Sequence, residues 1–237
     1  MFNFDRKTLY IVLGLLVLMN LFTGQRSIEG IIFALPGVIV AMTFHEFAHA
    51  WMATKLGDDT PKLQGRLNLN PMSHIDPIGL VCLALLGFGW GNPVQINSRN
   101  FNGKYSLSKA EAMVAAAGPI MNFIIAFIFL IVEVVLGLTV TKITAGIKIA
   151  ITIIESIVVV NLGLGVFNLI PVYPLDGSKV LSNFLPYKAK EWMMNNQFIL
   201  TIIVFLIVFN TNIISWISSY ILQGMIWLID LVIGLFV

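Results

Sequence analysis

The sequence predicts an all-α membrane protein, a polytopic bundle of about six transmembrane helices with a small β-hairpin or re-entrant element between the second and third spans. Hydrophobic residues make up 58% of the 237 positions and charged residues only 11%, whereas soluble domains are roughly 45–50% apolar and about 25% charged. A transmembrane helix needs about 20 apolar residues, and six segments reach or approach that length. They are residues 8–24, 30–54, 111–138, 149–170, 197–215 and 217–237.

The first segment is predicted to remain in the chain as a transmembrane helix. Arg6 and Lys7 precede its apolar run as in a signal peptide, but residues 23–26 lack the small-x-small pattern of a cleavage site.

The third segment contains Gly118-Pro119, and a membrane helix tolerates proline where neighbouring groups satisfy the freed carbonyl. The six segments are expected to form one membrane-embedded domain, residues 1–237.

The positions of lysine and arginine predict the orientation. If the six segments cross the membrane in turn, 11 of the 14 cations lie on one side, while Arg26, Lys142 and Lys148 lie on the other. Loops rich in Lys and Arg stay in the cytoplasm. Both termini and the end of the second span are therefore expected to be cytoplasmic.

Residues 56–108, between the second and third spans, are expected to contain local structure. Residues 62–69 and 94–97 alternate polar and apolar side chains, which predicts two short β-strands. The apolar run 78–90 is too short and too rich in glycine to cross a bilayer. It favours a re-entrant or interfacial element instead.

Composition disfavours two kinds of site. The formal net charge is only +2 and no basic cluster with interleaved aromatic residues is present, so no nucleic-acid partner is expected. The single cysteine, Cys82, rules out an internal disulfide framework and a Cys-x-x-Cys metal site.

The second span carries the sequence His45-Glu46-Phe47-Ala48-His49. On a helix, residues four apart lie on one face, so both imidazoles can bind one zinc ion, with the intervening glutamate placed as a general base. Ionisable groups at membrane depth are costly and are usually functional. The segment therefore indicates a zinc hydrolase in which His45 and His49 are ligands and Glu46 is the base.

A catalytic zinc site has three protein ligands and one open position, so a third ligand is expected from elsewhere in the chain. Asp176 is favoured, because Pro171 and Pro174 break the helix at the end of the fourth span, on the predicted membrane side of His49, and Gly177 permits a sharp turn. An acidic helix cap would explain Asp176 equally well if the histidines were absent. The other candidates are His74, Glu133, Glu155 and Asp230.

Five short motifs follow one another between residues 30 and 180. They are His45-Glu46-x-x-His49, Gly65-Arg66-Leu67-x-Leu69-Asn70-Pro71, His74-Ile75-Asp76-Pro77-Ile78-Gly79, Gly118-Pro119-x-x-Asn122 and Leu175-Asp176-Gly177. Together they resemble the site-2 protease family of intramembrane zinc metalloproteases, in a minimal form without PDZ or CBS domains. The resemblance makes residues 30–180 the catalytic core and leaves the spans 8–24, 197–215 and 217–237 as accessory helices.

The resemblance also implies the site and the reaction. One zinc ion would be bound by His45, His49 and Asp176, with Glu46 as the base, for hydrolysis of peptide bonds within or beside a membrane helix. Asn122 matches the family's Gly-x-x-x-Asn position, which implies a catalytic role in stabilising an oxyanion or holding the substrate backbone.

Three polar residues have more than one interpretation. A hydrogen bond between helices is the alternative for Asn122, and Asn168 has the same two interpretations, with packing favoured. His74 could be a ligand in a resting state or a substrate contact, but the prolines around it favour a hydrogen bond that fixes a turn.

The expected partners are the lipid bilayer and a transmembrane protein substrate. A helical substrate must unwind before its carbonyl groups can be attacked, and in extended form it could add to the edge of the predicted strands. The expected location is a prokaryotic plasma membrane, as a multi-pass protein. A metal-ion transporter is the first alternative, although no inverted repeat is visible, and an inactive protease-like scaffold is the second.

Overall fold

The computed structural model describes residues 28–80 and 91–234. Its long elements are apolar α-helices, and shorter helices lie in the connections. The helices are α1 (Ile28–Lys55), α2 (Thr60–Leu63), α3 (Pro71–His74), α4 (Leu107–Thr139), α5 (Ala145–Asn168), α6 (Asp176–Ser182), α7 (Tyr187–Asn195), α8 (Gln197–Asn210) and α9 (Ile213–Ile233).

Helices α1, α4 and α5 pack against one another and form the core of the described structure. The buried face of α4 is rich in small residues, among them Ala110, Ala115, Ala117 and Gly118. Small side chains allow helix backbones to approach closely in a membrane, where association depends on contact rather than on exclusion of water. This close approach brings α4 against the part of α1 that carries the two histidines.

Four of the described helices, α1, α4, α5 and α9, are long and apolar enough to cross a membrane. Helices α7 and α8 form a fifth candidate if they are one span, with a bend of 74° between them. The prediction of a polytopic all-α membrane protein is therefore confirmed, and four or five of the six predicted spans have a counterpart among the described residues. The predicted span 8–24 lies outside them.

The predicted span 197–215 is interrupted in the structure. Helix α8 has 14 residues and ends at Asn210, so it is only about 21 Å long at 1.5 Å per residue. Asn210 Nδ2 and Thr211 Oγ1 each donate to the carbonyl group four residues earlier, at 2.8 and 2.7 Å. Side chains of this kind compete with the helical backbone, and the next helix, α9, begins at Ile213.

The predicted β-hairpin is not found among the described residues. Pro61 lies in the first turn of the short helix α2, where proline is tolerated, and that helix ends at Leu63. Gly65 then turns the chain with a φ of +65°, a backbone conformation that glycine adopts readily. The alternation of residues 62–69 thus comes from a helical turn and a bend, and the first predicted strand is wrong.

Residues 91–97 form an extended segment that we call the strap. Its start is joined to the end of α3 by an isolated antiparallel bridge between Ile75 and Gly91, with Asn92 N donating to His74 O at 2.8 Å. The alternation of residues 94–97 thus predicted an extended chain, but no strand pairs with it among the described residues. Most of the predicted re-entrant run 78–90 lies outside them.

Candidate metal centre

Two imidazoles from α1 and one carboxylate from α6 converge on a single point. His45 Nε2 and His49 Nε2 lie 3.0 Å apart, and Asp176 Oδ2 lies 3.1 Å from the first and 3.2 Å from the second. Both histidines are buried, and the Asp176 side chain is only 17% exposed. The structure therefore brings together three of the residues that the sequence singled out.

The outer nitrogens of both imidazoles are occupied by acceptors. His45 Nδ1 lies 2.7 Å from Asn122 Oδ1, and His49 Nδ1 lies 2.8 Å from the carbonyl oxygen of Val114. Each Nδ1 therefore donates, because an amide oxygen and a carbonyl oxygen only accept. In the neutral rings both Nε2 lone pairs then point into the cluster, toward the carboxylate.

The donor set fits one zinc ion. Zinc prefers His nitrogen and carboxylate oxygen at about 2.0–2.1 Å, and a tetrahedral arrangement places such atoms about 3.3 Å apart. The three observed separations are 3.0, 3.1 and 3.2 Å. Asp176 Oδ2 is buried and has no hydrogen bond of acceptable geometry in spite of these short distances. The three atoms face one another with their lone pairs and share no proton. A cation between them would stabilise this arrangement.

The Asp176 carboxyl group is held in its ionised form. Burial, the largest influence, favours the protonated acid, but the hydrogen bonds and positive charge that His45 and His49 supply when they are protonated outweigh it and hold the pKa of Asp176 below its ordinary value. A carboxylate that ligates a metal must be deprotonated, and positive charge at this point, from the rings or from a metal ion in their place, favours that form.

Gly118 gives the cluster the space it needs on the side of α4. A Cβ at this position would lie 2.5 Å from His49 Nε2 and 2.7 Å from His45 Nε2. Any side chain there would push the imidazoles out of place. The sequence singled out Gly118 as part of a motif but gave no reason for it, and the close approach of a helix backbone to two metal-binding side chains is that reason.

Gly177 has the corresponding role beside Asp176. A Cβ at Gly177 would collide with the carbonyl oxygen and carbon of Leu169, in the turn that follows α5. Glycine therefore lets the start of α6 pack directly on the end of α5. Asp176 is the first residue of α6, so this contact fixes the position of the carboxylate.

The glutamate between the histidines is held by the strap. Val94 N donates to Glu46 Oε2 at 2.9 Å, and a Cβ at Gly91 would lie 3.7 Å from Glu46 Oε1. The strap therefore passes close to both oxygens of a half-buried carboxylate. A backbone amide as a partner for Glu46 was not predicted from the sequence, because any residue except proline supplies one.

Asp58 anchors the far end of the strap. This fully buried carboxylate accepts hydrogen bonds from Thr60 N, Thr60 Oγ1, Asn97 N and Asn100 Nδ2, at 2.6–3.1 Å. Burial, the largest influence, raises its pKa, but the four donors outweigh burial and hold the pKa of Asp58 below its ordinary value. The ionised carboxylate therefore joins the turn after α1 to the strap.

Asn122 contacts the cluster from its outer side, through His45 Nδ1. Asn122 is fully buried, and its amide nitrogen donates to Ala41 O and Asn161 Oδ1 at 3.0 and 2.9 Å. These are the contacts of the helix–helix interpretation, and an oxyanion would have to displace one of them. Its predicted catalytic role remains a prediction.

Asn168 and His74 make local hydrogen bonds. Asn168 Nδ2 donates to Leu164 O within α5 at 3.1 Å. His74 Nε2 lies 2.7 Å from Asn68 O and therefore donates to it, and the ring is fully buried. The His74 contact is of the turn-fixing kind. Among the described residues, the metal cluster includes none of His74, Glu133, Glu155 and Asp230.

The known proteins that this chain resembles are named as zinc metalloproteases. Residues 138–210 match peptidase family M50. The "Putative zinc metalloprotease YwhC" of Bacillus subtilis is 38% identical over 190 residues, which cover 80% of this chain and 83% of the relative. A similarly named protein of Mycobacterium tuberculosis, Rip2, is 25% identical over 84% of this chain and 74% of its own length.

A zinc metalloprotease of Methanocaldococcus jannaschii is 25% identical over 75% of this chain, although the match covers only 41% of that relative. No solved structure matches the chain. The similarity to the Bacillus protein extends over most of both chains, and the cluster of two histidines and one aspartate is the donor set of a zinc site. The chain therefore belongs to peptidase family M50, the site-2 protease family of zinc metalloproteases.

Proposed function

We propose that this protein is an intramembrane zinc protease, which hydrolyses peptide bonds within or next to the transmembrane segments of other membrane proteins. The depth of the cluster supports this proposal most strongly. Helix α1 is a candidate span that ends at Lys55, and His49 and His45 lie about 9 and 15 Å before that end at 1.5 Å per residue. A hydrolytic site at that depth serves a substrate that is itself in the membrane.

In the proposed reaction the side chains have separate roles. His45, His49 and Asp176 hold the zinc ion, which when bound supplies the Lewis acid that polarises a carbonyl group and activates water. Glu46 is the general base: the proton of the attacking water goes to its carboxylate and then to the nitrogen of the leaving amine. Val94 N keeps Oε2 in place during these transfers, which leaves Oε1 to receive the proton.

We further propose that the substrate binds in extended form along the strap. The amide groups of Asn92, Val94 and Asn97 donate to His74 O, Glu46 Oε2 and Asp58 Oδ2. Within the described residues the amide of Gln95 has no such acceptor, and Gln95 is exposed. A chain that lies along this edge gains backbone hydrogen bonds, which offset the bonds lost when a substrate helix unwinds.

The orientation of the protein is part of the same proposal. The count of cations supports a cytoplasmic position for the Lys55 end of α1 and for both termini, and the proposed location is a prokaryotic plasma membrane. Cleavage would then occur near the cytoplasmic end of a substrate span. Accessibility labelling of single cysteines, introduced after Cys82 has been replaced by alanine, would test this topology. Labelling of Lys55→Cys from outside the cell would contradict it.

The decisive experiment compares the purified wild-type protein with Glu46→Gln. Both should bind one equivalent of zinc, because Glu46 is outside the ligand set, but only the wild type should cleave a membrane-spanning substrate in proteoliposomes. Mass spectrometry of the products should place the cut within or next to the span. If the wild type cleaves no such substrate and instead carries zinc across the vesicle membrane, the transporter interpretation replaces the protease.

A second variant tests binding along the strap. Gln95→Pro removes the outward amide and also the exposed hydrogen bond that Gln64 Nε2 donates to Gln95 Oε1 at 2.8 Å, which Gln95→Ala removes on its own. Zinc content should be unchanged in both variants, while cleavage of a membrane-spanning substrate should slow only in Gln95→Pro, chiefly through a higher KM. Equal KM values for Gln95→Pro and the wild type would contradict binding at this edge.

A further inference from the structure

Two buried asparagines connect the metal cluster to a third helix. Asn122 on α4 and Asn161 on α5 are both 0% exposed. Asn122 Oδ1 lies 2.7 Å from His45 Nδ1, and Asn122 Nδ2 lies 2.9 Å from Asn161 Oδ1. A continuous line of hydrogen bonds therefore runs from α5 through α4 to a residue of the cluster on α1.

The direction of every bond in this line follows from two backbone carbonyl groups, which can only accept. Ile157 O lies 2.8 Å from Asn161 Nδ2, so the amide of Asn161 turns its oxygen toward Asn122. Ala41 O lies 3.0 Å from Asn122 Nδ2, which gives its second proton to Asn161 Oδ1. The oxygen of Asn122 is then the atom left to face His45.

This arrangement fixes the tautomer of His45. Asn122 Oδ1 requires a donor, so the proton of the neutral ring is on Nδ1 and the lone pair is on Nε2. Nε2 is the atom that faces His49 and Asp176, at 3.0 and 3.1 Å. If the amide of Asn122 were reversed, its NH2 group would favour the lone pair on Nδ1, and a proton on Nε2 would block the cluster.

We propose that Asn161 is a positioning residue for the metal centre, which acts through Asn122 to hold His45 in the tautomer that binds a metal ion. Without Asn161, Ala41 O is the one acceptor described for the amide nitrogen of Asn122. Reversal of the Asn122 amide then breaks one hydrogen bond of that nitrogen instead of two. The inference rests on the metal site of the proposed function but not on the cleavage of any substrate. Outer hydrogen-bond partners of metal-binding histidines typically change metal affinity by about 10- to 100-fold.

The first test is a double-mutant cycle read out as zinc affinity, measured by competition with a chromogenic chelator in detergent. Asn122→Leu should weaken zinc binding by about 100-fold and Asn161→Leu by about tenfold. Because Asn161 acts through Asn122, the double variant should bind no more weakly than Asn122→Leu alone. The proposal would be overturned if the loss of zinc affinity in the double variant were the product of the two single losses, or if Asn161→Leu bound zinc as tightly as the wild type.

A matched control is available on another helix. Asn210 Nδ2 donates to the carbonyl group four residues earlier at 2.8 Å, as Asn161 Nδ2 does, but Asn210 is exposed. Asn210→Leu should therefore leave zinc affinity unchanged. If Asn161→Leu does not fold, Asn161→Ala removes the same two hydrogen bonds with less change in shape and should weaken zinc binding in the same direction.

The second test observes the tautomers directly, and the chain has only three histidines. In metal-free protein labelled with 15N-histidine, at a pH at which all rings are neutral, His45 and His49 should carry the proton on Nδ1 and His74 on Nε2. In Asn161→Leu the His45 signals should shift toward the other tautomer, while those of His74 stay unchanged. A wild-type His45 protonated on Nε2 would refute the inference, even if the protein proves to be an active protease. Conversely, a protein that follows both predictions but cleaves no membrane substrate would refute only the proposed function.

Discussion

Replacement of Gly118 by alanine tests the geometry of the metal centre most directly. The added Cβ would lie 2.5 Å from His49 Nε2 and 2.6 and 2.7 Å from Cε1 and Nε2 of His45, where contacts are normally at least 3.4 Å. The rings or the helix must therefore move by about 0.7–0.9 Å, whereas metal–ligand distances tolerate about 0.2 Å. We expect zinc affinity to fall by at least about 100-fold, and overpacking to destabilise the fold by about 1–3 kcal/mol.

The assay is zinc content and chelator competition on detergent-purified protein, with thermal unfolding measured on the same sample. Gly137→Ala is the matched control, because Gly137 lies on the same helix and a Cβ there would meet nothing within 4 Å. That variant should bind zinc normally and be more stable by about 0.5–1 kcal/mol, as alanine is the better helix former. If Gly118→Ala binds zinc as tightly as Gly137→Ala does, the proposed arrangement of the imidazoles is wrong.

Three further substitutions test the parts that support the cluster. Gly177→Ala should displace Asp176 and lower zinc content, whereas Gly163→Ala, where a Cβ meets nothing within 4 Å, should not; equal zinc contents would contradict the role of Gly177. Val94→Pro removes the amide that holds Glu46 and should lower kcat by about tenfold with zinc content unchanged; an unchanged kcat would refute the hydrogen bond's role. The lowered pKa of Asp58 means that its contribution to stability is complete above the unfolded pKa of about 4 and is lost as the pH falls through the folded pKa. Asp58→Asn should therefore be less stable than the wild type at neutral pH, and thermal unfolding should show the difference shrinking in acid.

The sequence predicted the fold class and the residues of the cluster because both leave local signals. Long apolar segments must be helices in a membrane, and four of those predicted are found among the described residues. His45 and His49 face one point because they are one helical turn apart. Asp176 was found through the prolines before it and the glycine after it, which mark a break at the end of a span.

The parts that escaped prediction depend on contacts between distant residues. The alternation of residues 94–97 is compatible with any extended chain, so it could not show that the partner is a glutamate on α1 rather than a second strand. Asn161 resembles any polar residue in a span, and only the packing of α4 against α5 brings it to Asn122. Hydropathy alone predicted a continuous span 197–215, because it did not register the side chains of Asn210 and Thr211 at the end of α8.

The neutral partners of the two imidazoles are consistent with the membrane setting. A zinc ion with His45, His49, Asp176 and Glu46 has no net charge, because the two carboxylates balance the two positive charges of the metal. In many zinc sites the outer partner of a histidine is a carboxylate, but a third carboxylate here would leave an unpaired negative charge among apolar helices, which is costly. An amide oxygen from Asn122 and a carbonyl oxygen from Val114 accept the same protons without adding charge. An amide group can present either its oxygen or its nitrogen to His45, so the orientation of the Asn122 amide must be fixed by further contacts. The hydrogen bonds of Asn122 Nδ2 to Ala41 O and Asn161 Oδ1 provide them.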